Sequence, residues 1–282
     1  MTDIDRLLRS RSFVELGARQ RARALFDPGT FRELLGPFDR LMSPWLPRQG
    51  IVPQADDGVV IGKGRLKGTR AVIAAIEGGF QGGSMGEVGG AKIAGALELA
   101  IEDNRKGIPT CAVLLLETGG VRLQEANLGL AAIAEIQSAI VELRAHQPVV
   151  GLIAGSVGCF GGMSIAAGLC SHLLVTREAR LGLNGPQVIE QEAGIEEYDA
   201  KDRPFIWSLT GGEQRHACGL VDAYVADDVD RIRQRLVQLL DSPSANRVAR
   251  HAWFLDRLAS LGDDCPQLDA AAVRTLYQGA IS

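Results

Sequence analysis

Short apolar runs and longer stretches of helical spacing take turns along the middle of the chain. CAVLLL at 111–116, VVGLI at 149–153 and LLV at 173–175 are too short for buried helices and read as strands. Between them, 123–145 and 162–169 carry apolar residues at the spacing of one helix face. Strands alternating with helices, each crossover right-handed, predict an α/β fold with a parallel sheet, and ligands in such folds bind at the carboxyl ends of the strands. Upstream, VVIGKGRL and TRAVIAAIE within 59–76 are β-rich and separated by Lys67 and Gly68, which predicts a hairpin. Seven glycines then crowd 78–90 before AKIAGALELAIEDNRKG, a helix that Gly107 caps ahead of Pro109. The first part, 3–46, reads as helical through Leu16, Leu25, Phe31 and Leu34, broken by the DPG turn at 27–29. MSPWLPRQG follows as a proline-punctuated connector. The tail, 227–282, reads as charged helix lying on the outside or against a partner. The expected organisation is an N-terminal helical segment and connector (1–58), a core (59–226) and a helical tail (227–282), together one structural domain without internal repeats.

Composition narrows the function classes. In 282 residues, 46% are apolar, enough for a sizeable core, while the net charge is −4 with the signs interspersed. Neither a nucleic-acid partner nor a membrane surface is expected. The start, MTDIDRLLRS, lacks the basic-then-apolar pattern of a signal peptide, and a cytoplasmic location is expected. Cys111, Cys159, Cys170, Cys218 and Cys265 are scattered and form no C-x-x-C pair, so neither a zinc ribbon nor a disulfide framework is expected. Cys159 lies in a glycine-rich turn, where a nucleophile is one reading and a small core residue the commoner one. The four histidines, His146, His172, His216 and His251, have no metal-ligand spacing. Glu190, Glu192, Glu196 and Glu197 form an acidic surface patch.

Two strand-to-helix turns share a feature. LLLETGGVRL and GLIAGSVGCFGGMSIA each place a glycine pair where a helix starts. Glycine lets a ligand approach the main chain, and first-turn N–H groups are unpaired donors reinforced by the helix dipole. Donors from two such turns can converge on one developing oxyanion. The competing reading is that the glycines only make turns or allow close packing. GGSMGEVGGAK lacks the ending of a phosphate-binding P-loop, and AGSVG lacks the first glycine of a nucleophile elbow.

The run DDGVVIGKGRLKGTRAVIAAIEGGFQGGSMGEVGGAKIAGALELA, followed in order by ETGGVRLQE, FGGMSIAAG, GLNGPQVIEQ and LTGGEQRHACGLVDAYV, resembles the acyl-CoA carboxyltransferases. So does RQRARALFDPGTFREL, and the resemblance spans 19–225. It implies the amino-terminal-domain type of that family and the crotonase-like (ClpP/crotonase) β-β-α superhelix. Within the family the chain is most similar to the biotin-independent malonate decarboxylase branch, as its beta subunit. The alternative is the acetyl-CoA carboxylase beta type, which carries a four-cysteine zinc ribbon; the stretch before Val59 has no cysteine. Enoyl-CoA hydratases carry a catalytic carboxylate after the second glycine pair, where this chain has Ser164, Ile165 and Ala166.

The resemblance implies a lyase acting on a malonyl thioester. A CoA-derived arm on an acyl carrier protein, or CoA itself, brings the thioester in; no metal, biotin or covalently bound cofactor is expected on this chain. N–H groups near Gly119 and Gly120 and near Gly161 and Gly162 would bind the enolate oxygen as carbon dioxide leaves, and the proton donor is not identified. Gly82, Gly83, Ser84 and Gly86 would line the arm, or merely permit tight packing. Lys92 would meet its phosphates, or be a solvated helix lysine. Arg122 would orient the leaving carboxylate or a phosphate, or form a structural pair with Glu125 or Glu117. The implied partners are a homologous gamma-type crotonase-fold subunit, the carrier protein and an acyl-transferring subunit. A chain serving chiefly as an assembly subunit is the remaining class.

Overall fold

The structure, a computed structural model, describes residues 10–50, 58–125, 127–243, 247–262 and 268–277. Seven strands form one sheet in sequence order: β1 (Arg32–Leu35), β2 (Val59–Leu66), β3 (Thr69–Ile76), β4 (Thr110–Leu115), β5 (Val149–Ile153), β6 (His172–Thr176) and β7 (Ala223–Val225). β1, β2 and β3 pair antiparallel, and from β3 onward every pair is parallel. The expected hairpin joins β2 to β3. Lys67 and Gly68 have φ of 49° and 82°, the two left-handed residues that match the twist of the flanking strands.

Helices cover both faces of the sheet, which is why its strands read as unbroken apolar runs rather than alternating ones. Val72, Ala74, Ala112, Leu114, Val149 and Val175 point to one face. There they meet α2 (Glu87–Arg105), α3 (Asn127–Leu143) and α4 (Gly162–Leu169). Ile73, Ala75, Val113, Leu115, Val150 and Leu174 point to the other, against α1 (Ala18–Leu25) and α8 (Val229–Leu240). Between α4 and α8 lie α5 (Pro186–Ala193), α6 (Arg203–Thr210) and α7 (Gly212–Ala217). α9 (Arg247–Ala259) and α10 (Ala270–Leu276) follow. Among the described residues no helix is long and apolar enough to cross a membrane.

Two expectations need correction, and one strand goes beyond them. The segment expected to be helical over 3–46 contains one described α-helix, α1; after the turn at 27–29 the chain pairs Arg32 with Lys63 as an edge strand. Phe31 lies over Gly62 of β2, a ring contact that only the pairing creates, and 3–9 lie outside the described residues. The tail does not simply lie outside: Val229, Ile232, Leu236 and Leu239 of α8 are buried in the second core layer. β7, three residues long, was not anticipated because so short a run has no pattern of its own.

Beyond the carboxyl ends of the strands the chain adds a second tier. Met85 bridges Val121, Thr118 bridges Cys159, and Cys159 bridges Leu181, all parallel, while Arg180 bridges Gly211. Each coil of the chain thus supplies a sheet strand, a short second-tier segment and then a helix. This is the β-β-α superhelix that the resemblance implied.

Candidate active site

The two glycine turns meet in this second tier. A Cβ on Gly120 would lie 3.3 Å from Gly161 Cα, and one on Gly161 would lie 3.2 Å from Gly120 Cα. Gly161 has φ 60° and ψ −147°, a conformation essentially restricted to glycine, and α4 starts immediately after it. So the sequence pairing of these turns corresponds to a real convergence.

Three of the four glycine N–H groups expected as donors are already committed. Gly119 N–H donates to Gly82 O at 2.8 Å, Gly120 N–H to Thr118 Oγ1 at 3.1 Å, and Gly161 N–H to Leu183 O at 2.7 Å. These three glycines are shape, because their N–H groups already build the second tier. Gly162 N–H makes no hydrogen bond among the described residues, nor does Val121 N–H, one position past the first pair. Sequence reasoning missed Val121. No sequence signal marks it, because the pairing with Met85 that spares its N–H is tertiary: Met85 uses its own N–H and carbonyl, while Val121 is bypassed in favour of its two neighbours. Met85 N–H indeed donates to Gly120 O at 2.7 Å, and Arg122 N–H to Met85 O at 2.8 Å.

The expected arm-lining loop is stitched to the first turn by charge. Arg122 is buried; its Nη1 donates to Glu125 Oε1 at 3.0 Å, its Nε to Ser84 Oγ at 3.2 Å and its Nη2 to Ser84 O at 3.0 Å, with Phe80 stacked 5.6 Å away. Glu125 in turn accepts from Glu87 N–H at 2.7 Å, capping α2, and occupies the space beside Gly86. The structural pair with Glu125 is present, and each of the three guanidinium nitrogens donates one hydrogen bond within the fold. Gly83 packs on the carbonyl of Glu117, while Gly82 faces open space.

Both expectations for Lys92 are overturned. It is buried on α2, and its Nζ donates to Gly36 O at 3.0 Å and Val59 O at 2.6 Å, so it ties the N-terminal segment to β2. The alternation of small and large residues along α2 carries no mark of this, because the acceptors are main-chain carbonyls from distant segments.

A cleft of about 1140 Å³ opens beside the turns, lined among others by Gly82, Gly119, Ser156, Phe160, Arg203 and Trp207. Gly82 and Gly119 line it; Gly83, Gly120, Gly161 and Gly162 do not. Arg180 braces its wall. Its Nη2 donates to Ser156 O at 2.6 Å, and its guanidinium lies 4.6 Å from the Trp207 ring and 5.4 Å from that of Phe160. Burial lowers the Arg180 pKa, and burial raises that of nearby Tyr198, against the pull of Arg180 and Arg215. Cys159 is fully buried with its thiol pKa pushed far up by burial, which leaves the core reading of that residue. Among the described residues no group of three or more His, Cys, Asp or Glu could hold a metal ion.

Comparisons with known proteins bear on the family and the fold. The solved Pseudomonas malonate decarboxylase hetero-tetramer, in complex with malonate, contains a chain 71% identical to this one, with a TM-score of 0.90 over 98% of this chain and 100% of that one. The malonyl-S-ACP:biotin-protein carboxyltransferase of Malonomonas rubra is 40% identical over 84% of this chain and 77% of its own length. The acetyl-coenzyme A carboxylase carboxyl transferase subunit beta of Fusobacterium nucleatum is 33% identical over 64% of this chain and 60% of its own length. The fold is crotonase-like. With the carboxyl transferase domain model matching residues 12–252, the chain belongs to that family.

Proposed function

We propose that this chain is the thioester-holding, beta-type subunit of a malonate decarboxylase, converting a malonyl thioester on an acyl carrier protein into an acetyl thioester and carbon dioxide. The observation that carries the reading is the junction of Gly120 and Gly161, which sets the uncommitted N–H groups of Val121 and Gly162 on adjoining segments at the start of α4. As the carboxylate leaves, its bonding electrons move onto the thioester carbonyl, and these two donors, helped by the α4 dipole, bind the oxygen that gains the charge. Losing one such donor typically raises a barrier by about 2.7–4 kcal/mol. The enolate carbon then takes a proton to give the acetyl group. Gly82 and Gly119 on the cleft wall offer main chain along which the carrier's arm can lie.

The junction is not enclosed. Gly161 and Gly162 are half-exposed, and large apolar side chains are exposed on the segments that form or follow the junction: Leu123 and Leu130 after the first turn, Ile165 and Leu183 after the second. Leu183 supplies the carbonyl that holds Gly161. Such a rim fits a homologous crotonase-fold subunit that covers the site, excludes water and faces the departing carboxylate. The carrier protein and an acyl-transferring subunit complete the proposed assembly.

The test is reconstitution. Mixed with its homologous partner, the chain should convert malonyl carrier to acetyl carrier without biotin or ATP, and neither chain alone should do so efficiently. A second reading has support in the relative whose name specifies carboxyl transfer to a biotin protein. Activity that appears only when a biotin protein is added, with carboxylated biotin as product, decides for that reading.

A further inference from the structure

Glu117 stands where four parts of the chain meet. It lies two residues past the end of β4, precedes the first glycine turn and is 7% exposed. Its Oε2 accepts a hydrogen bond from Arg21 Nη1 on α1, and its Oε1 accepts from Val157 N–H, in the second turn, at 3.4 Å. The carboxylate fills the space that Gly155 leaves open, so that a Cβ on Gly155 would fall within it, and a Cβ on Gly78 would lie 2.6 Å from Glu117 Cγ. Main-chain bonds continue the junction: Thr118 N–H donates to Gly158 O at 2.7 Å, and Phe160 N–H to Thr118 O at 3.0 Å. Arg21 is itself held, donating through Nε to Phe13 O at 3.0 Å and through Nη2 to Val14 O. The N–H groups of Phe13 and Val14 donate to Asp227 Oδ1 at 2.8 and 3.0 Å.

We propose that Glu117, clamped by Arg21, is a positioning residue that sets the separation of the two glycine turns, and through them the placement of the Val121 and Gly162 donors. The proposal rests on reading those donors as the enolate-binding pair. Both carboxylate oxygens are in use, one toward α1 and one toward the second turn, and the backbone at Gly78 and Gly155 approaches the side chain too closely to admit a Cβ. Its anchor is a guanidinium with a rigid fork of donors. A donor displaced by about 1 Å loses its effect chiefly in the transition state, where the charge develops, so the consequence falls on kcat rather than on KM.

Two lesions strike the same contact from opposite sides. Glu117→Gln leaves one acceptor oxygen where two are used. Gly155→Ala leaves the carboxylate chemically intact and pushes it aside. Each is assembled, as the full chain, with the partner subunit and assayed at a temperature where it stays folded. The expected result is a kcat lower by about 10–100-fold with KM for malonyl carrier within about threefold, and a double variant no worse than the weaker single one. Amide hydrogen exchange should speed up at 118–121 and 155–162 while β4 and β5 stay protected. An unchanged kcat, or a loss that only tracks the folded fraction, overturns the proposal. An unmodified assembly that fails to decarboxylate overturns the functional reading instead, and exchange then decides positioning: loosening confined to both turns supports it, and unaltered turns overturn it.

Discussion

Gly161 holds a backbone conformation, φ 60° and ψ −147°, that a side chain resists. Its replacement by alanine should therefore disturb the turn before it disturbs the sheet. We expect Gly161→Ala to cost about 1–3 kcal/mol in stability and to abolish most decarboxylation, seen as a folded protein with kcat/KM at least tenfold down. Lys92 makes the opposite case, a candidate that turned out to be structural. Lys92→Met leaves two buried carbonyls short of a donor and should cost about 1–3 kcal/mol in denaturant unfolding, while KM for the carrier substrate stays unchanged. Thiol chemistry at this scale is governed by burial. It pushes Cys111 up to about 12, above the ordinary thiol value of about 8.5 in the unfolded chain. A raised acid pKa binds its proton more tightly when folded, so this contribution to stability is complete below about pH 8.5 and fades as pH rises toward 12. Alkylation followed by mass spectrometry should leave Cys111 and Cys159 unmodified in native protein at pH 8 and modify both after unfolding.

At the scale of elements, α8 shows how an amphipathic tail becomes a core layer. Its apolar stripe, Val229, Ile232, Leu236 and Leu239, recurs at helical spacing, and Asp228 caps its start by accepting from Arg231 N–H at 3.0 Å. The opposite sheet face needs cover, because β4, β5 and β6 are apolar on both sides. Leu236→Ala should cost about 2–5 kcal/mol, read as a lower denaturation midpoint for the whole chain in a single transition. The periodicity was visible in the sequence. What it packed against was not, since a stripe names a buried face without naming its partner. The same limit explains β1: the residues after 27–29 carry apolar positions that fit a helix or a strand, and an unpaired edge on β2 decided between them.

For the whole molecule the open question is what covers the glycine junction. Leu123 is 81% and Ile165 51% exposed, so neither contributes to the isolated fold. Leu123→Asp and Ile165→Asp should leave the melting temperature of the chain alone within about 1–2 °C. If the rim is the partner-facing surface, each should weaken association by tenfold or more in a titration with the homologous subunit, and lower turnover at limiting partner concentration. Unaltered association would move the interface elsewhere.

The sequence by itself determined that this is an α/β chain with a β2–β3 hairpin, parallel strands β4 and β5 to within a residue, and two glycine turns facing the carboxyl edge of the sheet. These are local properties, written in side-chain periodicity and in the few residues that tolerate a left-handed backbone. Family likeness came from the same source, because the ordered motifs lie along one chain. Only the tertiary structure decided which amides remain free to act. Gly119, Gly120 and Gly161 spend theirs on carbonyl or hydroxyl groups within the second tier, and Val121 and Gly162 do not. It also decided that Arg122 and Lys92 are buried and committed, and that Arg21 finds Glu117 from 96 residues away. Hydrogen-bond partners and buried ion pairs are set by which segments the superhelix brings together, and no spacing along the chain encodes that.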